Sequence, residues 1–148
     1  QAEDGIRDRS PSRGLGDVYK RQAWKEMFEK SQNNNHSNHN FNLFWNSALK
    51  EECFAFSAKN EGKFLGFIVA SIFEGFFDKY LFLETIFVDQ SYRKMGVGRA
   101  LLNKVEEISL SLELDFFIHQ VEKSNLGAQR LLNDYEKIDK MVYRKKFN

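Results

Sequence analysis

The residues whose spacing carries the most chemistry are Arg93, Lys94, Met95, Gly96, Val97, Gly98 and Arg99. They follow an apolar run, 80–88, that reads as a strand ending at Val88. They open a segment, 96–112, in which Val97, Leu101, Val105, Ile108 and Leu112 fall on one helical stripe. A glycine-punctuated turn from strand to helix presents several unpaired backbone N–H groups in one direction. The helix N-terminus adds about half a positive charge. Together they suit a phosphate. Gly96 and Gly98 let an anion approach the backbone with no Cβ in the way, and Arg93 and Lys94 add mobile positive charge. A Walker A loop would end in Gly-Lys-Ser/Thr, but Gly98 is followed by Arg99-Ala100. A dinucleotide fingerprint needs a third small residue where Leu101 stands. The competing reading is a glycine-containing turn with no ligand.

Around this turn the elements read in order. Residues 23–30 and 41–50 suggest two short helices separated by an Asn-rich stretch, 31–40. Residues 52–58 and 63–71 are aromatic and β-branched, with a hairpin turn at Asn60-Glu61-Gly62 between them. After the strand at 80–88 and the helix at 96–112 come a strand at 115–121, a helix at 125–136 and a final strand at 140–147. The order is ααβββαβαβ, an antiparallel meander followed by crossover helices. It implies an α/β (α+β) fold: a mixed, mostly antiparallel sheet with helices on both faces.

At 148 residues, with 42% apolar and 29% charged side chains, the chain fits one globular domain. No apolar run approaches the roughly 18 residues of a membrane span. Cys53 is the single cysteine, so no internal disulfide forms and a reducing, cytoplasmic setting is expected. Its neighbours Phe54 and Phe56 point to a buried thiol more than to a nucleophile. Residues 1–22 lack periodicity, hold the only proline and resemble translated sequencing-adapter sequence. They are expected to be a non-native or disordered leader to a domain at 23–148, whose own first strand would be missing. That leader has five basic and four acidic residues, which leaves seventeen of each in 23–148 and no basic excess for nucleic acid. His36 and His39 lack a third partner, so no metal site is expected. His119, within a strand, reads as a core or edge histidine.

Val88, Tyr92-Arg93, Gly96 and Gly98 fall at the spacing of the GNAT acetyltransferase superfamily, whose signature Arg/Gln-x-x-Gly-x-Gly/Ala follows an apolar-Val strand end. Asn125-x-x-Ala128, opening the next helix, is a second match, so 54–147 resembles that family. The resemblance implies a sheet splayed after the 80–88 strand, with acetyl-CoA as co-substrate. The pyrophosphate would lie on residues 93–99 and the pantetheine arm against the main chain of Phe87 and Val88, with Asn125 also at the cofactor. The Val88 N–H would stabilise the oxyanion.

Glu84 is the only acid within the 80–88 strand, and two-residue periodicity puts it on one face with Phe82, Ile86 and Val88. Phe82-Leu83-Glu84-Thr85 is similar to the Tyr-Leu-Glu-Asp of diamine and thialysine acetyltransferases. Glu84 is the candidate base for the acceptor ammonium, or else a residue that binds a cation. Many relatives carry a Tyr proton donor seven residues after the Asn of the second motif, where this chain has Leu132. Tyr135 either substitutes for it or packs. The expected function is N-acetyl transfer to a primary amine of a small molecule by direct attack in a ternary complex. A non-catalytic acyl-CoA-binding regulatory module and a protein N-acetyltransferase are the alternatives. The expected partners are a small-molecule amine and, as an assembly, a homodimer, with neither nucleic acid nor membrane. The Asn-rich stretch is where acceptor contacts are expected.

Overall fold

The computed structural model describes residues 2–4, 15–32, 38–141 and 143–147. The elements are β1 (Ala2–Asp4), α1 (Leu15–Ser31), α2 (Asn38–Ala48), β2 (Cys53–Asn60), β3 (Lys63–Glu74), β4 (Lys79–Val88), a 3-10 turn (Gln90–Tyr92), α3 (Val97–Ser111), β5 (Phe117–His119) and α4 (Leu126–Leu131). They form one mixed sheet in the order β1-β2-β3-β4-β5, antiparallel except for the β4–β5 pair.

Alternation along β2 and β3 sends side chains to two cores. On one face Ala55, Phe67 and Val69 pack beneath Trp24 and Phe28 of α1 and Phe41 of α2. On the other, Ile68, Ala70, Leu81 and Leu83 meet Leu101, Leu102 and Val105 of α3. Helices thus cover both faces, as the element order implies.

Four boundaries differ from the sequence reading. First, α1 begins at Leu15, ahead of residue 23, and Ala2–Asp4 pairs antiparallel with β2 where no first strand was expected. The edge of β2 away from β3 offers a ladder to an extended segment, and Ala2–Asp4 takes it. Residues 1 and 5–14 of the expected leader lie outside the described residues, as do 33–37 of the Asn-rich stretch and with them His36. Second, α4 ends at Leu131, several residues before 136. Asn133 and Asp134 follow, which favour local backbone bonds over helix, and the Leu131 carbonyl accepts from Arg99 Nη2 at 2.9 Å. Third, β5 holds only three residues of the expected 115–121. Fourth, no described residue of 140–147 is in a strand. Met141, Tyr143 and Phe147 are all exposed there, so the alternating pattern meets neither a core face nor a sheet edge.

The feature that positions the site lies at Leu83. The parallel ladder pairs Leu81 with Phe117, Phe82 with Ile118 and Leu83 with His119, and then stops. From Glu84 onward β4 has no neighbour on that side, which is the splay expected of this sheet. The antiparallel β3–β4 ladder is interrupted at the same place. Val69 faces Thr85 while Ala70 faces Leu83, so Glu84 has no partner and is bulged. His119 Nδ1 lies 2.9 Å from the Leu83 carbonyl oxygen. A carbonyl can only accept, so the ring carries its proton on Nδ1. A side chain here satisfies the carbonyl that a continuing ladder would have taken.

Burial lowers the His119 pKa, opposed by the bond to Leu83. The fold favours the neutral ring, so its contribution is complete above the ordinary value of 6.5 and is lost as pH falls below it. The melting temperature of the native chain is therefore expected to drop more steeply below pH 6.5 than that of His119→Gln, which can still donate to Leu83 but does not titrate. Calorimetry at paired pH values measures the difference, and parallel curves would show that His119 is not held neutral.

Candidate active site

Three features meet at the end of β4. The first is the opening left by β5. Asp89 N–H donates to the Leu65 carbonyl at 2.9 Å. Residues of an antiparallel strand alternate in the side to which their N–H and C=O point. The main-chain groups of Phe87 therefore face β3, and those of Ile86 and Val88 face the opening. The sequence expectation paired an arm with Phe87 and Val88. The ladder keeps Val88, replaces Phe87 with Ile86 and leaves the Phe87 ring packed against Phe67 at 5.9 Å. The Val88 carbonyl accepts from Arg93 Nε at 3.0 Å, so its N–H is the group left to the opening.

The second feature is the loop. Asp89 caps the 3-10 turn through Ser91 N and binds Lys30 Nζ of α1 at 3.0 Å. The Ser91 N–H and Lys30 hold its carboxyl below the usual value. The chain then passes through left-handed residues at Lys94 (φ 62°) and Gly96 (φ 84°), the N-cap of α3. No side chain caps this helix, and the first intrahelical bond runs from Ala100 N to Gly96 O. The N–H groups of Val97, Gly98 and Arg99 therefore have no intrahelical acceptor. No acid stands in the first turn of α3, Met95 is exposed, and a Cβ built on Gly96 would meet nothing within 4 Å.

The other loop residues differ from their expected roles. A Cβ on Gly98 would lie 3.1 Å from Leu131 Cδ2, so this glycine is required by the approach of α4. The Arg99 side chain turns away from the loop to the Leu131 carbonyl and to Asp134, 3.2 Å distant, leaving only its backbone N–H among the donors at the start of α3. Asn125 caps α4, its Oδ1 accepting from Ala128 N at 3.0 Å. The Tyr135 hydroxyl donates to Glu106 Oε1, and its ring meets Phe117 edge-on. Burial, and then the Glu106 bond, push its pKa up to about 12. Leu132 packs into the α3 core.

The third feature is a cavity of about 380 Å³ on the α1/α2 face of the sheet. Its walls are Phe28, Phe44, Phe67 and Val69, and Glu84 and Thr85 form its border with the opening. Periodicity had put Glu84 with Ile86 and Val88. The bulge instead keeps Glu84 on the α1/α2 side with Thr85, while Ile86 and Val88 pack towards α3. Glu84 is exposed, and its Oε1 accepts from Ser71 Oγ at 2.7 Å. This cavity was not visible in the sequence, because its walls come from four elements distant along the chain. Among the described residues no group of His, Cys, Asp and Glu side chains could hold a metal ion, and no helix is long and apolar enough to cross a membrane.

The architecture is shared. The aminoglycoside N-acetyltransferase AAC(6')-Iy in complex with CoA superposes with a TM-score of 0.76 at 19% identity, over 88% of this chain and 91% of that one. An aminoglycoside 6'-N-acetyltransferase from Acinetobacter haemolyticus superposes at 0.72 and 19%, over 90% and 94%. A ribosomal-protein-alanine N-acetyltransferase from Brucella melitensis gives 0.74 at 12%, over 88% and 94%. At these identities the likeness is one of fold. No curated protein matches the sequence. The model of the Acetyltransferase (GNAT) family matches residues 21–134. That match runs from α1 through the splayed strand and the glycine loop to α4, so the chain belongs to the GNAT acetyltransferase family and is an acyl-CoA-dependent N-acyltransferase that draws its acetyl group from acetyl-CoA.

Proposed function

We propose that this chain transfers the acetyl group of acetyl-CoA to a primary amine of a small molecule by direct attack in a ternary complex. The observation that carries this reading is the placement of Glu84. Bulged out of the ladder, it stands where the opening beside Val88 meets a cavity lined by aromatic side chains. A carboxylate between two such spaces can serve an amine in one and a thioester in the other.

The residues fit the donor on three counts: uncapped N–H groups at α3, open space over Gly96, and outward main-chain groups at Ile86 and Val88. Residues 93–99 would hold the phosphates through backbone N–H groups, with Lys94 and the free guanidinium nitrogens of Arg93 adding charge. The Val88 N–H would face the thioester carbonyl and stabilise negative charge on its oxygen. An alkylammonium with a pKa near 10 must lose a proton before it attacks. Glu84 takes that proton, directly or through one water. The nitrogen then bonds to the carbonyl carbon, the C–S bond breaks, the sulfur leaves with the electron pair, and the nitrogen gives up its second proton to solvent as the amide forms. A thiolate with a pKa near 8.5 is a tolerable leaving group and takes its proton from solvent. Tyr135, engaged by Glu106 and pushed up to about 12, is better suited to packing α4 against β5 than to donating that proton. A small-molecule acceptor accords with a cavity near the lower end of the usual ligand range.

Two substitutions test the assignments. In Gly96→Val a branched side chain sits in the left-handed region beside the N–H groups, so the Kd for CoA is expected to rise about tenfold or more. A short acetyl thioester without phosphates should be used as before. Unchanged CoA affinity by calorimetry would remove the loop as the phosphate site. Glu84→Gln keeps size but does not accept a proton at neutral pH. Turnover at pH 7 is expected to fall by about a hundredfold or more with CoA affinity intact. The deficit should shrink as pH approaches the pKa of the amine, because free amine then forms unaided. If instead the amine KM rises while turnover holds, Glu84 binds the cation without acting as base.

A further inference from the structure

The cavity beside Glu84 carries information about the acceptor that the glycine loop does not. Three phenylalanines line it: the half-buried Phe44 is backed by the buried rings of Phe28, at 4.9 Å between centroids, and Phe67, at 5.9 Å. Its polar members Gln32, Ser47 and Thr85 are neutral, and Glu84 is its single carboxylate. Other acids close in the chain do not line it: Glu51 and Glu52, which precede Cys53, are exposed. Glu29 of α1 does not line the cavity and lies 3.9 Å from Lys25. Residues 33–40, which follow Gln32 in the chain, contain no acid.

We propose that the acceptor is a monoamine with an apolar, aryl-bearing body, its ammonium at Glu84 and its body against the ring of Phe44, which Phe28 and Phe67 back. This rests on the function proposed above. One carboxylate, exposed at the border of the cavity, matches one ammonium. A second ammonium in the same space would face apolar rings and neutral polar groups with no second counter-charge. The hydroxyls of an amino sugar would likewise be desolvated against phenyl rings with too few partners. An aryl ring instead gains apolar burial and edge-to-face contact. The cavity thus separates this chain from the polycationic aminoglycosides named for two of its structural neighbours, although the fold is common to all three.

The test pairs binding with turnover. With CoA present, 2-phenylethylamine, n-butylamine, spermidine and sisomicin are titrated by calorimetry, and release of free thiol from acetyl-CoA is followed for each. The expected order has 2-phenylethylamine at least tenfold above n-butylamine in kcat/KM, and both above spermidine and sisomicin. Phe44→Ala should lower the value for 2-phenylethylamine and leave n-butylamine nearly unchanged. Ser47→Asp, which adds a second carboxylate to the cavity, should move preference towards spermidine. If spermidine or sisomicin is the better substrate of the native chain, or if no amine binds, the inference is overturned. If 2-phenylethylamine binds and Phe44→Ala weakens it but no thiol is released, the cavity assignment stands and the proposed transfer reaction fails.

Discussion

The site depends on one constraint in the sheet: β4 loses both of its regular partners at adjacent residues. The parallel ladder to β5 ends at Leu83, and the antiparallel ladder to β3 skips Glu84. A buried strand that stopped pairing without compensation would strand its polar groups, each costing about as much as a lost hydrogen bond. Here the Leu83 carbonyl is met by the His119 ring, and beyond it the outward groups of Ile86 and Val88 are left for a ligand to satisfy. The same interruption lifts Glu84 out of register into the space under α1 and α2. One irregularity therefore makes the opening beside Val88 and places a carboxylate between it and the cavity, the spaces proposed here for donor and acceptor.

The remaining elements keep that opening in shape. The α3 helix lies beneath the splayed strand with Leu101, Leu102 and Val105 fully buried, and its uncapped N-terminus comes up beside Val88. The α4 helix is held to α3 by a close contact at Gly98 and by Arg99, which spans from α3 to the last α4 carbonyl and to Asp134. Tyr135 adds a hydroxyl bond to Glu106 on the far side. Gly98, Arg99 and Tyr135, candidate site residues in the sequence, here also join α4 to α3. Lys30 and Asp89 do the corresponding work between α1 and the turn after β4. Both faces of the sheet are thus tied to the loop.

The division between what was legible in the sequence and what was not follows the range of the interactions. The strand ending at Val88, the loop to Gly98 and the stripe on α3 are written in neighbouring residues; each stands where expected except Leu112, which lies past the end of α3 and is exposed. Glu84 was identified as the strand's single acid, but its face was not, because a bulge is a property of two paired strands. The Gly98 contact and the Arg99 clamp depend on α4, more than thirty residues away. The expected strand at 140–147 shows the converse. Its pattern of alternation is present, but a strand also needs an edge and a core face, and the exposed Tyr143 and Phe147 have neither.

The central claim is that the splay at Leu83 turns the backbone of β4 towards the donor. It is tested most directly by amide resonances in a titration of the full chain with CoA. The Val88 and Ile86 N–H groups and those of Val97, Gly98 and Arg99 should shift and become protected from exchange. Leu81 and Leu83, which lie within the paired part of β4, should stay where they were. If Val88 and Ile86 remain unperturbed at saturating CoA while the α3 amides respond, the nucleotide binds at the loop but the opening does not receive its arm, and the account of the fork is wrong.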